Sequence, residues 1–468
     1  MRRGRRALAR PGLSPGPRVR RGHLLAEPIA LVLAARPSAE ANGHLAGLPE
    51  LSLGRLDEES AAALLGTVLA APVDESVRQR IVAETHGNPL ALLQLCQGRA
   101  PAGLAGGFAF PGTADLPGNI EDRYITRLRE LPAQTRQLLL LAAADMTAET
   151  TLIYQAATTL GLDARAIAPA VEAGLAEVNA NIRFGHPLIR SAVYRAASID
   201  DRRAAHGALA AVTDPERDPD RRAWHRAHAT AVPDETIARD LAGSAGRASR
   251  RGGVAAAAAF WAQAVELTPD PAGRAARALA AADAKFAAGD FAAVQALLAT
   301  AQAGPVGDLD RARAQRLSAH TAFALRRGRD APPLLLQAAR RLENLDASLA
   351  QQTYLEALVA GIYAGRLARD GDVTAIAQAA ASVPPAPEAP AHVQLLLQGL
   401  AARLTDGYPA AAPIMRRALD SYRDQPRELE DWLGVAYTLV AMDLWDDDAW
   451  ADIAARLVRQ TRVSGTLG

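Results

Sequence analysis

The sequence predicts a mainly α-helical protein with a small α/β portion near its N-terminal end and a long series of helix pairs after it. Three observations indicate this class. Alanine and leucine, which favour helices, are abundant, whereas aromatic residues make up only 4% of the chain. Glycine-containing turns recur at nearly even spacing in the second half. The 468 residues also exceed the roughly 250–300 residues that one core supports, so we expect several domains.

The N-terminal 23 residues differ in charge from the rest of the chain. They hold eight arginines and no acidic residue, without apolar periodicity, and therefore predict a disordered, Arg-rich tail over 1–23. The remaining 445 residues carry 44 basic and 51 acidic side chains, a net charge of −7. The body of the protein thus lacks the general basic surface that nucleic-acid binding requires.

Residues 24–100 read as the end of an α/β unit. The apolar run Ile29–Ala35 has the length of a buried parallel strand, and 50–53 predicts a second short strand. Asp57 is placed to cap the helix that follows.

A second helix, over 74–86, should end at Gly87-Asn88, and Pro89 should open a third helix, since proline is tolerated in a first turn. Residues 101–117 are rich in glycine and proline and predict a linker.

Residues 118–200 have the order of elements typical of a winged-helix domain. Several helices are followed by LAEV-NAN-IRF, a strand, a polar turn and a second strand, and then by a helix that opens at His186-Pro187. The preceding helices are expected at 119–130, 132–144, 149–160 and 163–174.

From 201 to 468 the sequence predicts only helical hairpins. Turns near Gly253, Gly289, Gly328, Gly371 and Gly407 are separated by 36, 39, 43 and 36 residues. A period of this size predicts an α-solenoid of tetratricopeptide-like helix pairs.

The composition excludes several kinds of active site. Lys285 is the only lysine and lies outside a Gly-Lys-Ser/Thr context, so the chain has no Walker loop. Cys96 is the only cysteine, which excludes an intramolecular disulfide and a multi-thiolate zinc site. We find no nucleophile–base set, and we expect neither catalysis nor a metal site. His225 and His228 have a spacing that can bind metal, but packing is the favoured interpretation.

The longest apolar run, Leu138 to Ala144, is far shorter than the ~18 residues of a membrane span. We therefore expect a cytoplasmic protein without a membrane partner. The run Asp446-Asp447-Asp448 is placed to cap the last helix.

Several stretches together resemble the large ATP-binding LuxR-type transcriptional regulators of actinobacteria, members of the signal-transducing NTPases. These stretches are AEPIALVLAARP, LPELSLGRLDEESAAALL, RIVAETHGNPLALLQL, RFGHPLIRSAVYRAAS, RRAAHGALAAVTDPERDPDRRAWHRAHA and GGVAAAAAFWAQAVELTPDP. The resemblance covers residues 24 to about 460. It implies a P-loop ATPase module followed by a winged helix, a helical-repeat sensor and a C-terminal LuxR-type helix-turn-helix.

The departures from that family are equally informative. The Walker A loop, the acidic Walker B strand and a basic helix-turn-helix after 460 are missing. We therefore expect a regulator truncated at both ends, with 24–100 as the remnant of the P-loop α/β ATPase module. Its function would be that of the sensor, interaction and switch portion, with a protein partner or small-molecule effector on the repeats. DNA would be bound only through the missing C-terminal domain, and ATP or ADP would be a cofactor of the full-length family rather than of this chain.

The resemblance also implies residues that contact nucleotide. Arg36 ends the strand after which the family places an arginine facing the γ-phosphate. Gly87 and Pro89 match its G-x-P motif, whose proline packs on adenine, and His186 corresponds to a winged-helix histidine that contacts the β-phosphate of ADP. Read without the family, Gly87-Asn88-Pro89 is a helix stop followed by a helix start, and His186 is a partly buried histidine near a helix N-terminus.

Two other functions stay open. One is a free-standing helical-repeat adaptor. The other, a winged-helix DNA-binding protein, is disfavoured because the helix in the recognition position, DARAIAPAVEAGLAEV, contains one arginine against Asp163, Glu172 and Glu177, and an acidic helix is repelled by phosphates.

Overall fold

A computed structural model describes residues 51, 53–68, 78, 82, 87–89, 92–93, 118–326, 330–365, 372–422 and 431–464. The chain divides into two compact units after Gly54. Nearly all of the first unit lies outside the described residues, as do the predicted tail, the strand at 29–35 and the linker at 101–117. The second unit is described below.

The first described helix begins where the sequence predicts a cap. Helix α1 spans Glu58–Val68, and the Asp57 Oδ1 atom accepts a hydrogen bond of 2.7 Å from the backbone N–H of Ser60. The predicted strand at 50–53 is wrong at both of its described residues. Leu51 and Leu53 are in no strand and are exposed. A strand needs a partner ladder, and the only ladder among the described residues lies farther along the chain.

Residues 118–196 form a helical domain with one β-hairpin, in the order that the sequence predicts. Its elements are α2 (Gly118–Arg129), α3 (Ala133–Ala144), α4 (Thr150–Thr159), a 3₁₀ turn (Ala164–Ile167), α5 (Ala168–Glu172), β1 (Ala176–Val178), β2 (Ile182–Phe184) and α6 (Pro187–Ala196). The strands pair antiparallel, with Ala176 opposite Phe184 and Val178 opposite Ile182. Leu138, Leu141 and Ile153 are fully buried in the core of this domain.

The helix expected at 163–174 is shorter and broken. The Asp163 side chain caps the 3₁₀ turn by accepting from the Arg165 N–H, and α5 starts only at Ala168, with Pro169 in its first turn. Because proline lacks an N–H, it fits the first turn of a helix but interrupts a continuous one.

The rest of the chain consists of helices that pack against their neighbours along the sequence. They are α7 (Ile199–Val212), α8 (Pro219–Ala229), α9 (Glu235–Arg250), α10 (Val254–Leu267), α11 (Pro271–Ala287), α12 (Phe291–Ala303), α13 (Asp308–Arg326), α14 (Ala331–Leu342), α15 (Ala347–Ala364), α16 (Asp372–Ala381), α17 (Ala391–Thr405), α18 (Tyr408–Tyr422), α19 (Asp431–Leu444) and α20 (Asp447–Ser464). The most extensive contacts join α9 to α10, α11 to α12, α14 to α15 and α17 to α18. This helix-pair arrangement agrees with the predicted α-solenoid.

The turn glycines have the backbone that such turns require. Gly252, Gly289 and Gly407 have φ angles of +76°, +73° and +89°, a left-handed region in which glycine pays no steric cost. Gly328 and Gly371 lie outside the described residues. None of the described helices combines the length and the apolar character that crossing a membrane requires.

Candidate functional site

The predicted nucleotide contacts are only partly within the described residues. Arg36 lies outside them. Gly87 has a φ angle of +65°, and its carbonyl accepts a hydrogen bond of 2.9 Å from the Leu56 N–H. A Cβ atom at position 87 would lie 2.2 Å from the Leu56 carbonyl oxygen, so only glycine fits. This contact explains the glycine through packing, while a role for Gly87 in nucleotide binding stays a prediction.

Pro89 and His186 lie in the local positions that the sequence predicts. Pro89 is helical and exposed. His186 is half-buried between β2 and α6, and its ring stacks on Tyr124 of α2 with centroids 5.8 Å apart. Burial lowers the pKa of His186, so the imidazole is neutral near pH 7. The contacts described for Gly87 and His186 lead to different neighbours, Leu56 and Tyr124.

A different group of ionisable side chains meets where the helical domain contacts the first repeat helices. We call Asp145, His206, Arg221, His225 and His228 the junction cluster. Asp145, His206, Arg221 and His225 are buried, and His228 is half-buried.

Local structure explains how these residues come together. Asp145 directly follows α3. On α8, Arg221, His225 and His228 occupy positions i, i+4 and i+7, which lie on one face of a helix. His206 projects from the neighbouring α7, which packs against α8. The face of α8 that meets the helical domain is therefore basic.

Asp145 is saturated with donors on both carboxylate oxygens. Its Oδ2 atom accepts from Nε of Arg221 at 2.7 Å and also from Nη2 of the same guanidinium. Its Oδ1 atom accepts from the N–H and the hydroxyl of Thr147, at 2.8 and 2.9 Å, and from the N–H of Ala148 at 3.2 Å. His225 Nε2 lies 3.5 Å from Oδ2, longer than an ordinary hydrogen bond but close enough for electrostatic attraction.

The same carboxylate organises the turn that leads to the β-hairpin. The Asn181 side chain donates to the Thr147 carbonyl at 2.7 Å, and the Ile182 N–H donates to the Ala148 carbonyl at 2.8 Å. The turn at 145–148 is thus held by α8 of the repeats on one side and by the hairpin on the other.

The histidines continue the network away from Asp145. His225 Nδ1 lies 2.9 Å from His206 Nδ1, and His206 Nε2 lies 3.0 Å from the Tyr194 hydroxyl of α6. Because an ionised Asp145 can only accept, His225 presents an N–H at Nε2 toward this carboxylate. Of the two facing Nδ1 atoms of His225 and His206, one donates and the other accepts, and the Tyr194 hydroxyl pairs with His206 Nε2.

Burial and neighbouring charges shift the pKa values of three members of the cluster. Burial alone would raise the pKa of Asp145, but His225 and the Arg221 guanidinium hold it well below its usual range. Burial, followed by the proximity of His225 and His228, lowers the pKa of His206 well below its ordinary value. Burial also lowers the pKa of His228. At neutral pH the cluster therefore combines one carboxylate and one guanidinium with neutral His206 and His228.

Ion pairs between helices continue beyond the junction cluster. Asp220 accepts from Nε of Arg247 at 2.7 Å and from Nη2 of Arg251 at 2.9 Å, which joins α8 to the end of α9. Glu235 at the start of α9 forms a bidentate pair with Arg277 of α11, at 2.7 and 2.8 Å.

A second buried carboxylate lies farther along the repeats. We call Glu356, Arg316 and His320 the repeat cluster. Glu356 of α15 accepts from Nε of Arg316 at 2.9 Å and contacts His320 Nε2 at 2.9 Å, both on α13. The His320 ring stacks on Trp432 of α19, with centroids 5.2 Å apart. Burial alone would raise the pKa of Glu356, but His320 and Arg316 hold it below its usual value.

The sequence interpretation found only part of the junction cluster. Packing was the favoured interpretation of His225 and His228, and both contribute to the interior. Asp145, Arg221 and His206 were not identified. One signal was available, because Asp145 ends an apolar helix, and a carboxylate at a helix C-terminus is repelled by the helix dipole unless a cation is near.

The junction cluster is enclosed and connects several elements of the fold. Asp145 and His225 are almost completely enclosed, with side-chain exposures of 2% and 1%, so a substrate has no access to them. The cluster joins four elements, α3, α6, α7 and α8, through hydrogen bonds and an ion pair. These contacts depend on the distance and direction between their groups. A shift of α8 would separate charges in an interior that solvates them poorly.

Comparisons with known proteins add a distant structural similarity. No family model matches the chain, and no curated protein is significantly similar to it. One solved structure with a similar arrangement is the crystal structure of a signal transduction ATPase with numerous domains that has a tetratricopeptide repeat sensor, from Pyrococcus horikoshii. It is 12% identical to this chain over 88% of this chain, with a TM-score of 0.30. The match spans 61% of that protein's chain.

Proposed function

We propose that this protein is the sensor and switch portion of an ATP-binding LuxR-type regulator. In this proposal the helix pairs bind a protein partner or a small effector, and the helical domain with its hairpin responds. The observation that carries the proposal is the junction cluster, in which Asp145 holds Arg221 and approaches His225 across the boundary between the two parts.

A buried ion pair suits a switch for a physical reason. Breaking such a pair leaves a buried charge without compensation, so intermediate geometries are costly. An apolar contact between the same helices would tolerate small shifts more evenly. Movement of α8 would therefore leave the ion pair either formed or broken, and the turn at 145–148 would change with it. That turn holds the hairpin through Asn181 and Ile182.

The inter-helix ion pairs support a path from the repeats to this turn. Asp220 lies next to Arg221 on α8 and pairs with α9, and Glu235 on α9 pairs with α11. A displacement of α11 would thus reach α8 through charged contacts.

The remaining parts of the proposal come from the family resemblance. In the full-length family, nucleotide would contact the positions of Arg36, Gly87, Pro89 and His186, and DNA would be contacted through the family's helix-turn-helix. The chain itself would be cytoplasmic and would have no catalytic activity.

Hydrogen exchange of the full chain can test the coupling. Arg277→Met breaks the pair with Glu235 in the repeats while leaving residues 118–196 unchanged. We expect faster amide exchange at 145–148 and 176–184 in addition to faster exchange in α9 and α11. Arg311→Met is the matched control, because on the surface Arg311 contacts Asp308 of its own helix and the nearby Val306 carbonyl, and it should leave the hairpin unaffected.

An unchanged hairpin in Arg277→Met would contradict the proposed coupling. The free-standing repeat adaptor would then be the better description, since its helix pairs need no connection to the hairpin.

A further inference from the structure

Two separate apolar cores meet at the boundary between α7 and α8. Ala205 and Leu209 of α7 are buried in the core of the helical domain, together with residues of α3 and α4. Trp224 and Ala227 of α8 are buried in a second core, which α8 shares with α9 and α10. The junction cluster lies where these two cores meet, so polar contacts join them.

Two of these polar contacts cross the boundary directly. His206 Nδ1 of α7 faces His225 Nδ1 of α8 at 2.9 Å, and Arg221 of α8 donates to Asp145 at the end of α3. The bond between the two rings needs one nitrogen that donates and one that accepts. A protonated imidazole donates from both nitrogens. The contact can therefore persist while one ring is charged, but it breaks when both are charged.

His228 adds a third titratable ring beside this pair. Its Nδ1 atom lies 3.0 Å from the Trp224 carbonyl and therefore carries a proton, so its Nε2 atom is the one that gains a proton in acid. The ring centroids of His228 and His206 are 5.0 Å apart. Charging both rings would place two like charges side by side in an interior that solvates charge poorly.

The charges that face these histidines are mainly positive. Arg190 of α6 is buried and donates to two backbone carbonyls at the end of α3, at 3.0 and 2.8 Å. Arg202 of α7 lies over the ring of the tyrosine that bonds His206, with Cζ 5.3 Å from the centroid. Arg221 pairs with Asp145, the carboxylate that favours the charged form of His206. Added protons therefore enter a region that already holds three guanidinium groups and one carboxylate.

The other elements packed against α7 and α8 leave this balance unchanged. The residues of α4 include no charged side chain. On α3, Arg136 lies near the start of the helix and bonds the carbonyl oxygens at 129 and 131. Asp240 and Arg247 of α9 are paired with Arg226 and Asp220 of α8, and α10 meets α8 through aromatic rings.

We propose that the junction between α7 and α8 is a pH-sensitive switch, which opens in mild acid when more than one histidine of the junction cluster becomes protonated. Opening separates α8 from α7 and from the turn at 145–148. The charged rings then reach water, and the β-hairpin loses its connection to the repeats, while the apolar core on each side stays intact. The proposal rests on the proposed function, because it names a signal, a fall in pH, that acts on the same junction.

The direction of the pH dependence follows from the closed junction. Burial lowers the pKa of His206 and of His228 there, so both rings are held neutral. In the open junction both rings are solvated, and their pKa values return toward the ordinary 6.5. The open form therefore binds more protons below that pH, and falling pH favours it. Each additional proton changes the ratio of open to closed molecules by up to about tenfold per pH unit.

The test measures the distance across the junction in the full chain. Nitroxide labels are attached at Ala180→Cys in the hairpin turn and at Ser249→Cys near the end of α9, both exposed positions. The only native cysteine is first replaced by Cys96→Ser. Pulsed electron paramagnetic resonance then gives the distance distribution at neutral pH and at about pH 5.5.

We expect a second distance population in acid that disappears on neutralisation. The ratio of open to closed molecules should rise at least about tenfold. Far-UV circular dichroism at the same pH values should stay constant, because the helices on both sides remain folded. A single unchanged distance, or a loss of helicity that accompanies the second distance, would overturn the proposal.

Substitutions identify the histidines that operate the switch. His206→Gln and His228→Gln each remove one proton site, and each should reduce the acid-induced rise in the open-to-closed ratio at least about threefold. The hydrogen bond of His228 stays within α8. His228→Gln therefore keeps the hydrogen bonds across the boundary even where His206→Gln weakens them. An acid response that neither substitution changes would contradict the proposal.

Two other histidines serve as comparisons. His392→Gln on α17 lies outside the junction and should leave the response unchanged. His186→Gln tests the half-buried histidine that stacks on Tyr124. If His186→Gln abolishes the response while His206→Gln and His228→Gln do not, the acid-sensitive group lies between α2 and α6, and the proposed switch is refuted.

The failure of this switch is distinguishable from the failure of the proposed function. Exchange coupling between Arg277 and the hairpin is measured at neutral pH and needs no histidine protonation. Intact coupling together with a pH-independent distance would refute the switch alone and leave the proposed function standing. Acid opening without that coupling would support the switch and contradict the path from the repeats.

Discussion

The junction cluster and an acidic cleft at the C-terminal repeats use similar residues in different surroundings. The cleft lies between α18 and the start of α20 and is lined by Arg416, Asp420, Tyr422, Asp446, Asp448 and Asp452. In the junction cluster, Asp145 is 2% exposed and both oxygens have donors, and Tyr194 bonds His206. In the cleft, the Asp452 side chain is 55% exposed and pairs with Arg456 of its own helix.

Burial decides how strongly polar groups stabilise this fold. A closed network contributes stability only while every member is present, because each loss leaves an uncompensated buried group. Charges in an open cleft stay solvated and contribute little to folding. Substitutions in the junction cluster should therefore change stability strongly, and those in the cleft should change it little.

The largest effect is expected from Asp145→Asn. It leaves the Arg221 guanidinium buried without a counter-charge, which should lower the free energy of unfolding by about 3–5 kcal/mol. Urea unfolding followed by circular dichroism measures this. Asp200→Asn, whose side chain is almost fully exposed, should cost less than about 1 kcal/mol. A loss under about 1 kcal/mol for Asp145→Asn would show that the cluster is not closed as described.

Glu356→Gln in the repeat cluster should have a smaller effect. It weakens charged hydrogen bonds with Arg316 and His320, at a cost of about 2–3 kcal/mol. The effect is smaller because the Arg316 side chain is 22% exposed and can be partly solvated after the substitution. The same unfolding measurement, compared directly with Asp145→Asn, gives the order of the two. An equal or larger loss for Glu356→Gln would reverse our ranking of the two clusters.

Mild acid should destabilise the protein through the histidines of the junction cluster. The pKa values of His206 and His228 are lowered below 6.5 in the folded state, so the unfolded chain binds more protons below that pH. Stability should therefore fall as pH drops from about 6.5, by up to about 1.4 kcal/mol per pH unit for each proton. The lowered pKa of Asp145 acts in another window, since its contribution is lost only as pH falls below the ordinary value of 3.8.

His206→Gln separates these contributions. The substitution removes a histidine whose pKa is lowered in the folded state, so the unfolding free energy should decline less steeply between pH 7 and pH 5. The comparison uses this slope and does not depend on the unfolding free energy at pH 7. Urea unfolding of the unsubstituted protein and of His206→Gln at intervals of half a pH unit measures the two slopes. Titrating groups that both proteins share contribute equally, so the difference between the slopes reports on His206. Identical slopes would exclude His206 as a source of the acid sensitivity.

Trp445→Gly beside the cleft should stabilise the protein by about 1 kcal/mol. Trp445 is exposed and has a φ angle of +56°, a left-handed conformation that glycine adopts without strain. Trp450→Gly is the contrasting control, because it places glycine inside α20 and should destabilise by a similar amount. Destabilisation by Trp445→Gly would mean that the indole packs against the fold.

Tyr422→Phe should have the smallest effect on folding. It removes a hydroxyl that interacts with the Asp452 carboxylate. Because the Asp452 side chain is 55% exposed, water can replace the hydroxyl, and the unfolding free energy should fall by only about 0.5 kcal/mol. A loss above about 1.5 kcal/mol in urea unfolding would contradict this and show that the hydroxyl is a structural partner.

The local features of this protein could be predicted from the sequence. Asp57 and Asp446 cap the helices that follow them, and Gly252, Gly289 and Gly407 form the predicted turns. The hairpin strands at 176–178 and 182–184 were also predicted. Each depends on side-chain and backbone contacts within a few residues, so the residue types carry the information.

The meeting of distant groups depends on how the helices pack and could not be predicted from the sequence. Asp145 and Arg221 are 76 residues apart, and their pairing depends on which face of α8 packs against the end of α3. The acidic lining of the cleft likewise combines α18 with the start of α20, which are separated by another helix. Helix periodicity specifies the face on which a residue lies but not the neighbour that the face will contact, because that choice depends on the packing of the complete set of helices.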